Sequence, residues 1–163
     1  RRQLAWNFRK PLILFTPKSL LRHPECISKL EDFTEGGFKE IIEDSTLKVK
    51  DVKKVVFCTG KIYYDLVAKI KSDEVKDTSV IRLEQIYPLP EKQLKKIFTK
   101  YKKADFRWVQ EEPANMGTLQ YLKEFEILKD VKFFSRKRSA SPATGFSKVH
   151  IQEQNDLINQ TLS

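Results

Sequence analysis

This 163-residue chain lacks the residues that several kinds of functional site require. It has two cysteines, Cys26 and Cys58, which form no Cys-x-x-Cys pair, and only His23 and His150 are available to join them. A metal site is therefore not expected, and such cysteine usage is typical of a reducing intracellular setting. No Gly-x-Gly-x-x-Gly, P-loop or nucleophile-elbow motif is present, so no cofactor or nucleophile is indicated by a short motif.

Long apolar runs are also absent. No stretch reaches the length of a membrane span, and no signal peptide is visible. The sequence begins with Arg1, and its single methionine is Met116, so we expect a piece of a longer polypeptide. A chain of 163 residues suits one domain. At this size it buries about 68–70% of its unfolded surface and needs no disulfide or metal to hold it together.

The charge balance is basic, with 31 lysines and arginines against 22 acidic residues and a formal net charge of +9. Such a charge permits an anionic partner such as nucleic acid, phosphate, a coenzyme or a membrane surface. The lysines are scattered along the chain, and the longest compact basic run is Arg136–Arg138. A lysine-rich, solvated surface is therefore the interpretation we favour, and neither nucleic acid nor a membrane is expected as a partner.

Hydrophobic periodicity predicts alternating strands and helices. Apolar runs predict strands at residues 12–15, 54–58, 78–83, 105–109 and 131–134, and an extended segment at 38–42. Apolar residues at helical spacing predict helices at residues 62–71, 90–101, 117–128 and 149–162, a short turn after Pro17, and the end of a helix at 1–8. This order predicts an α/β fold, a three-layer, mostly parallel sheet with helices on both faces.

The polar loop after Trp108, with the sequence Gln-Glu-Glu-Pro-Ala-Asn-Met-Gly, follows a predicted strand. Open α/β sheets place their sites at the carboxyl ends of strands. Because Glu111 and Glu112 are adjacent, their carboxylates should diverge, and an ion pair of one of them with a basic residue such as Arg138 is favoured over a catalytic pair. The loop at residues 138–145 is its expected neighbour, and its hydroxyls can satisfy backbone groups or bind an anion. The candidate interface or structural residues of the two loops are Glu111, Glu112, Asn115, Arg138, Ser139, Ser141 and Thr144.

Two other segments are candidates for an anion site. Thr59, Gly60 and Lys61 lie where a strand gives way to a helix, and residues 16–22 repeat this pattern with Lys18, Ser19 and Arg22. Backbone N–H groups and the helix dipole favour an anion at such positions. Ordinary helix capping explains the same residues equally well, so both interpretations stay open.

Five segments, in order, carry a family resemblance. They are Phe-Thr-Pro-Lys-Ser-Leu-Leu-Arg-His-Pro at 15–24, Cys-Thr-Gly-Lys-Ile-Tyr-Tyr-Asp-Leu at 58–66, Arg-Leu-Glu-Gln-Ile-Tyr-Pro-Leu-Pro at 82–90, Trp-Val-Gln-Glu-Glu-Pro-Ala-Asn-Met-Gly at 108–117 and Arg-Ser-Ala-Ser-Pro-Ala-Thr-Gly at 138–145. Over nearly its whole length the chain resembles the C-terminal domain of the thiamine-diphosphate-dependent, decarboxylating component of 2-oxoglutarate dehydrogenase.

The resemblance implies a transketolase-like C-terminal domain at residues 11–163, with residues 1–10 ending a helix that links it to the preceding domain. It implies an enzyme that decarboxylates 2-oxoglutarate and passes the succinyl group to a lipoyl-bearing dihydrolipoyl succinyltransferase. Thiamine diphosphate and magnesium would bind between the preceding domains of a homodimer, so neither cofactor nor catalytic residues are expected in this chain. Its implied roles are dimer assembly and support of those domains, in the bacterial cytoplasm or the mitochondrial matrix.

Some members of the family bind an allosteric acyl-coenzyme A, and the resemblance makes acetyl-CoA a further possible partner. Arg2, Lys18 and Lys61 are the candidates for this role, beside the hydroxyl and glycine positions of the two anion-site segments. Two alternatives remain: the same domain of a 2-oxoadipate-type dehydrogenase, and a free-standing acyl-CoA- or nucleotide-binding module. The domain interpretation predicts an exposed apolar patch that absent neighbours would cover, whereas the free-standing module predicts a stable monomer.

Overall fold

A computed structural model describes residues 2–43 and 47–163 of the chain. It contains one five-stranded sheet, in the spatial order β1-β3-β2-β4-β5. The strands are β1 (Ile41–Glu43), β2 (Lys54–Cys58), β3 (Thr78–Leu83), β4 (Asp105–Pro113) and β5 (Lys132–Arg136). β2 pairs in parallel with β3 and β4, and β4 pairs in parallel with β5, whereas β1 runs antiparallel to β3. The prediction of a mostly parallel sheet is therefore confirmed.

Six α-helices accompany the sheet in the described residues. They are α1 (Arg2–Ala5), α2 (Glu31–Thr34), α3 (Ile62–Ser72), α4 (Glu91–Lys100), α5 (Leu119–Leu122) and α6 (Ser147–Leu162). Short 3-10 helices lie at Lys18–Arg22, Val49–Asp51 and Glu126–Leu128. None of the helices in the described ranges is long and apolar enough to cross a membrane.

The alternation of side chains along β2 builds two cores, one on each face of the sheet. Val55 and Phe57 pack on one face with apolar residues of α4 and of the α5 region. Val56 and Cys58 pack on the other face with apolar residues of α3 and α6. The sheet is thus covered by helices on both sides, which explains why β2 is apolar at nearly every position.

The N-terminal segment, residues 2–39, differs from the rest because none of its residues is buried. Its large exposed side chains are Leu4, Trp6, Phe8, Leu12, Ile13, Leu14, Phe15, Leu21, Ile27, Leu30, Phe33 and Phe38. The strand predicted at residues 12–15 is wrong, since the structure assigns no strand there. The edge of the sheet beside β3 is occupied by β1 instead.

Two other predictions are corrected in part. The helix predicted at residues 117–128 is interrupted, because Phe125 adopts an extended conformation between α5 and the following 3-10 helix. This break allows Leu122 and Leu128 to enter the same core. The helix predicted at residues 1–8 is limited to α1, with Arg1 lying outside the described residues.

Candidate functional site

The loop that follows β4 is folded around the side chain of Gln110, which is 1% exposed. Its Nε2 donates hydrogen bonds to the carbonyl oxygens of Met116, at 2.7 Å, and Pro113, at 3.3 Å. Its Oε1 accepts a hydrogen bond from the backbone N–H of Leu119 at 2.9 Å. Because a buried amide that satisfies several backbone groups fixes their positions, this loop is held in one conformation.

Gly117 closes the same loop with a φ of +67°. A Cβ atom at this position would lie 2.9 Å from Gln110 Nε2, so both the backbone conformation and the close approach require glycine. Gln110 was not among the predicted site residues. The sequence feature that could have indicated Gln110 is a polar residue at an inward-facing strand position, just before a loop that contains proline and glycine.

The predicted contact between this loop and the loop after β5 is present. Asn115 Nδ2 donates to the carbonyl oxygen of Ser139 at 2.9 Å, and the backbone N–H of Ser139 donates to Asn115 Oδ1 at 3.0 Å. Within the second loop, Ser139 Oγ accepts from the backbone N–H of Ser141, and Ser141 Oγ donates to the carbonyl oxygen of Ala143. These hydroxyls therefore satisfy backbone groups, which is one of the two roles predicted for them.

Glu111 and Glu112 diverge, as their adjacency predicts. Glu111 Oε1 lies 2.8 Å from Lys61 Nζ, rather than near Arg138, which was the partner suggested from the sequence. Lys61 Nζ also lies 2.8 Å from Asp65 Oδ2, one turn along α3. Glu112 is exposed and has no side-chain partner within the described residues.

Lys61 is the centre of this small charge cluster. Burial disfavours its charged form, but the hydrogen bonds to Asp65 and Glu111 outweigh burial and raise the pKa of Lys61. Gln154 of α6 closes the cluster, since its Nε2 donates to both carboxylates at 2.8 Å. The positive charge is thus neutralised by the protein, and an anionic ligand would have to displace a carboxylate to reach it.

Arg136, at the end of β5, joins this cluster to the second loop. Arg138, which the sequence suggested as the ion-pair partner of Glu111 or Glu112, does not take part. Its side chain is 8% exposed. Its guanidinium donates to Gln154 Oε1 at 2.7 Å and contacts Glu153 Oε2 and His150 Nδ1 at 3.2 Å each. A guanidinium has no acceptor, so His150 Nδ1 accepts this hydrogen bond, and His150 packs as a structural group.

Thr144 donates its hydroxyl hydrogen to Glu153, which also pairs with Arg136. No hydrogen bond joins a serine of this loop to His150 in the described parts of the chain. Cys58 is fully buried, and burial raises the pKa of its thiol, which disfavours a reactive thiolate. The arrangement fixes two loops and α6 to the sheet, and it holds none of the nucleophile–base pairs expected of a hydrolase.

The residues predicted to bind an acyl-CoA lie in separate contacts. Arg2 lies 3.5 Å from Glu40 and over the ring of Phe38. Lys18, Ser19 and Arg22 belong to the exposed 3-10 helix Lys18–Arg22. Gly60, next to Thr59, has a φ of +72° in the turn that leads to Lys61. Among the described residues no contact joins Arg2 or Lys18 to Lys61, and the anion site stays a prediction.

Part of the N-terminal segment is held against α3. The ring of His23 lies 4.9 Å from that of Tyr64, and Glu25 forms a 2.9 Å ion pair with Lys71. Burial, together with a hydrogen bond to Cys26, raises the pKa of Tyr64 to about 12. A cavity of about 440 Å³ lies between these residues. The segment is therefore anchored at residues 23–26, although its apolar side chains are exposed.

Comparison with known proteins gives a consistent result. Residues 27–162 match the family model described as 2-oxoglutarate dehydrogenase C-terminal. The chain is 42% identical over 170 residues to the 2-oxoglutarate dehydrogenase E1 component of Haemophilus influenzae, covering 100% of this chain and 18% of that protein. It is 39% identical to the oxoglutarate dehydrogenase of Buchnera aphidicola, covering 100% of this chain and 19% of that protein. Against the E1 component of Rickettsia prowazekii the identity is 42%, over 99% of this chain and 18% of the relative. The chain thus spans about a fifth of the length of the curated relatives it matches.

Proposed function

Because the chain belongs to the 2-oxoglutarate dehydrogenase C-terminal family, we propose that it is the C-terminal assembly domain of an enzyme that oxidatively decarboxylates 2-oxoglutarate. The observation that carries this proposal is the 42% identity to an E1 component over the full length of the chain. The full enzyme would transfer the succinyl group to the lipoyl group of a dihydrolipoyl succinyltransferase. This chain would contribute to assembly, not to the chemical step.

The exposed N-terminal segment supports the assembly role. Phe15 is 98% exposed, Leu14 is 74% exposed and Ile13 is 77% exposed, and they are consecutive in the sequence. Contiguous apolar surface of this kind marks an interaction site in proteins that are otherwise soluble. We propose that other domains of the same polypeptide, or of its homodimer partner, cover this segment. A free-standing binding module would leave the same side chains exposed to water, so this alternative is disfavoured.

Thiamine diphosphate would supply the carbanion chemistry of the full enzyme. In the described part of the chain, no group of three or more histidine, cysteine, aspartate or glutamate side chains is arranged to hold a metal ion. Magnesium beside a diphosphate is bound by one or two carboxylates together with phosphate oxygens, and the carboxylates of Asp65 and Glu111 are already paired with Lys61. No step of the reaction is assigned to them, and we propose that both groups bind elsewhere in the enzyme.

The acetyl-CoA site proposed at Arg2, Lys18 and Lys61 has one specific requirement. Because Lys61 is already bound by Asp65 and Glu111, ligand binding must break at least one of these ion pairs. Calorimetric titration of the full-length enzyme with acetyl-CoA tests this, and absence of heat at millimolar ligand would remove the site from the proposal.

The relatives named above are bacterial, so we propose a cytoplasmic location.

The enzymatic proposal is tested with the full-length polypeptide. We expect it to decarboxylate 2-oxoglutarate in the presence of thiamine diphosphate and magnesium. A preference for 2-oxoadipate as substrate would instead identify the enzyme as a 2-oxoadipate-type dehydrogenase. Phe15→Asp should weaken the assembly and lower activity, since it places a charge in the proposed contact. Val49→Asp is the matched control, because Val49 is also exposed, at 43%, but lies outside the N-terminal segment. Equal effects of the two variants would refute the assembly role.

A further inference from the structure

The loop that joins β5 to α6 encloses a cavity that the proposed assembly role does not use. The cavity has a volume of about 380 Å³ and lies between Pro113, the loop at residues 137–145 and Glu153 of α6. Arg136, Lys137 and Arg138 all line it. Its size is within the range of small-molecule sites and too small for a macromolecule.

The lining is electropositive. Among the described residues Glu153 is the only carboxylate that lines the cavity, and it is paired with Arg136 at 3.2 Å. Lys137 and Arg138 are exposed, and neither forms an ion pair or a side-chain hydrogen bond within residues 2–43 and 47–163. Two uncompensated cations therefore face the same small space, which favours an anionic ligand and disfavours a metal ion.

Arg136 adds a second observation. Its two terminal nitrogens are fixed by Gln154, Glu153 and His150, but its Nε is enclosed and has no hydrogen-bond acceptor in the described structure. Buried donors are nearly always satisfied, so an unpaired one in a cavity wall indicates an acceptor that the described residues do not provide. An oxygen of an anion bound in the cavity would be such an acceptor.

The loop is also held in place before any ligand binds. Asn115 exchanges two hydrogen bonds with the backbone of Ser139, and the hydroxyls of Ser139 and Ser141 bind backbone groups of the same loop. A loop that is already ordered loses little conformational entropy on binding, which increases affinity. Lys137 and Arg138 therefore belong to a loop that is already ordered.

From these observations we propose that the cavity at residues 136–145 binds the phosphate group of a small molecule. A phosphate carries about two negative charges near neutral pH and several acceptor oxygens, which match the two exposed cations Lys137 and Arg138, with Arg136 beside them in the lining. Inorganic phosphate and a phosphomonoester offer the same group, so both serve as probes.

The test is chemical modification of arginine by phenylglyoxal in the full-length enzyme, with each arginine followed by peptide mass spectrometry. Inorganic phosphate or glycerol phosphate is added at constant ionic strength, with chloride as the balancing anion. At phosphate ten times above its dissociation constant we expect Arg138 to react roughly tenfold more slowly, because the site is then about nine-tenths occupied. N-acetylarginine dissolved in the same sample is the internal control, because its guanidinium belongs to no binding site.

A matched pair of variants completes the experiment. Lys137→Ala should weaken the protection of Arg138, whereas Lys102→Ala, which removes another exposed and unpaired lysine, should leave it unchanged. Protection by glycerol phosphate at lower concentration than by inorganic phosphate would identify a phosphomonoester as the ligand. Equal slowing of N-acetylarginine and Arg138, or no protection of Arg138, would overturn the proposal. Arg138 that is unreactive without phosphate would also overturn it, because the rest of the enzyme would then cover the cavity; the assembly role of the N-terminal segment would be unaffected.

Discussion

Phe57 and Phe15 show how differently two regions of this chain use the same side chain. Phe57, in β2, is 2% exposed and packs against Phe98 and Phe106, whereas Phe15, in the N-terminal segment, is 98% exposed. Both lie in short apolar runs of the sequence. Apolar content alone therefore does not place a residue in the core, because a strand must also have a neighbour to pair with.

The two regions also differ in how their polar groups are used. In the sheet domain, buried polar side chains bind backbone atoms: Gln110 binds those of the loop that follows it, and Arg107 binds the carbonyl oxygen of Thr161 in α6. In the N-terminal segment the side-chain contacts are exposed, as between Lys39 and Asp32. Exposed pairs add little stability, so apart from its anchor at residues 23–26 the segment is held weakly and is suited to being covered by another surface.

The largest expected contrast is between Phe57→Ala and Phe15→Ala. Phe57→Ala should lower the free energy of unfolding by about 3–5 kcal/mol, because it removes a fully packed ring and leaves a cavity. Phe15→Ala should change it by less than about 0.5 kcal/mol in the chain studied alone. Urea denaturation followed by circular dichroism measures both. Similar losses would show that the N-terminal segment contributes to the core.

A second contrast compares two glycines with nearly the same backbone conformation. Gly117 has a φ of +67° and lies close to Gln110. Gly36 has a φ of +68°, and a Cβ atom placed there would have no other atom within 4 Å. Gly117→Ala should cost about 2–4 kcal/mol through backbone strain and the contact with Gln110. Gly36→Ala should leave the denaturation midpoint unchanged, since local rearrangement of the unburied segment relieves the strain. A loss of similar size in both variants would contradict this difference.

The smallest contrast concerns two aspartates and pH. Burial raises the pKa of Asp105, but its hydrogen bonds with Lys132 and the buried Arg107 outweigh burial and keep that pKa below its ordinary value of 3.8. A carboxylate with a lowered pKa stabilises the folded state above its ordinary pKa, and this contribution disappears as the pH falls through the folded-state value. Asp105→Asn should therefore lower the free energy of unfolding by about 1–2 kcal/mol near neutral pH. The difference in free energy of unfolding between the variant and the parent protein should disappear below about pH 4.

Asp32→Asn is the control for this pH series. The hydrogen bond from Lys39 also lowers the pKa of Asp32, but Asp32 lies in the N-terminal segment and pairs at the surface. We expect no change in the unfolding of the sheet at any pH between 3 and 8. If Asp32→Asn lowered the free energy of unfolding as much as Asp105→Asn does, both regions would unfold as one unit.

Much of the sheet was predictable from the sequence. The strands at Lys54–Cys58 and Thr78–Leu83 have the predicted bounds, because a short run of mainly β-branched and apolar residues between turn residues is typical of a strand covered on both faces. The run at residues 12–15 has the same local pattern and forms no strand. β1 pairs with β3 at the edge of the sheet instead, and pairing is a long-range property that a local pattern does not contain.

The candidate site was predictable in outline only. The contact between the two polar loops follows from the carboxyl ends of parallel strands meeting at one edge, and Asn115 and Ser139 provide it. The partners of Glu111 and the role of Gln110 were missed. The orientation of α6 brings Gln154 to Glu111, and the turn after β2 brings Lys61 there. Both depend on packing between elements distant in the sequence.

The central claim is that the N-terminal segment forms a docking surface for the rest of the enzyme. Hydrogen–deuterium exchange of this chain alone and of the full-length enzyme tests it most directly. We predict that amides of residues 4–38 exchange rapidly in the chain alone and are protected in the full-length enzyme, while amides of β2 and β4 are protected in both. Equally rapid exchange of residues 4–38 in the two samples would contradict the claim.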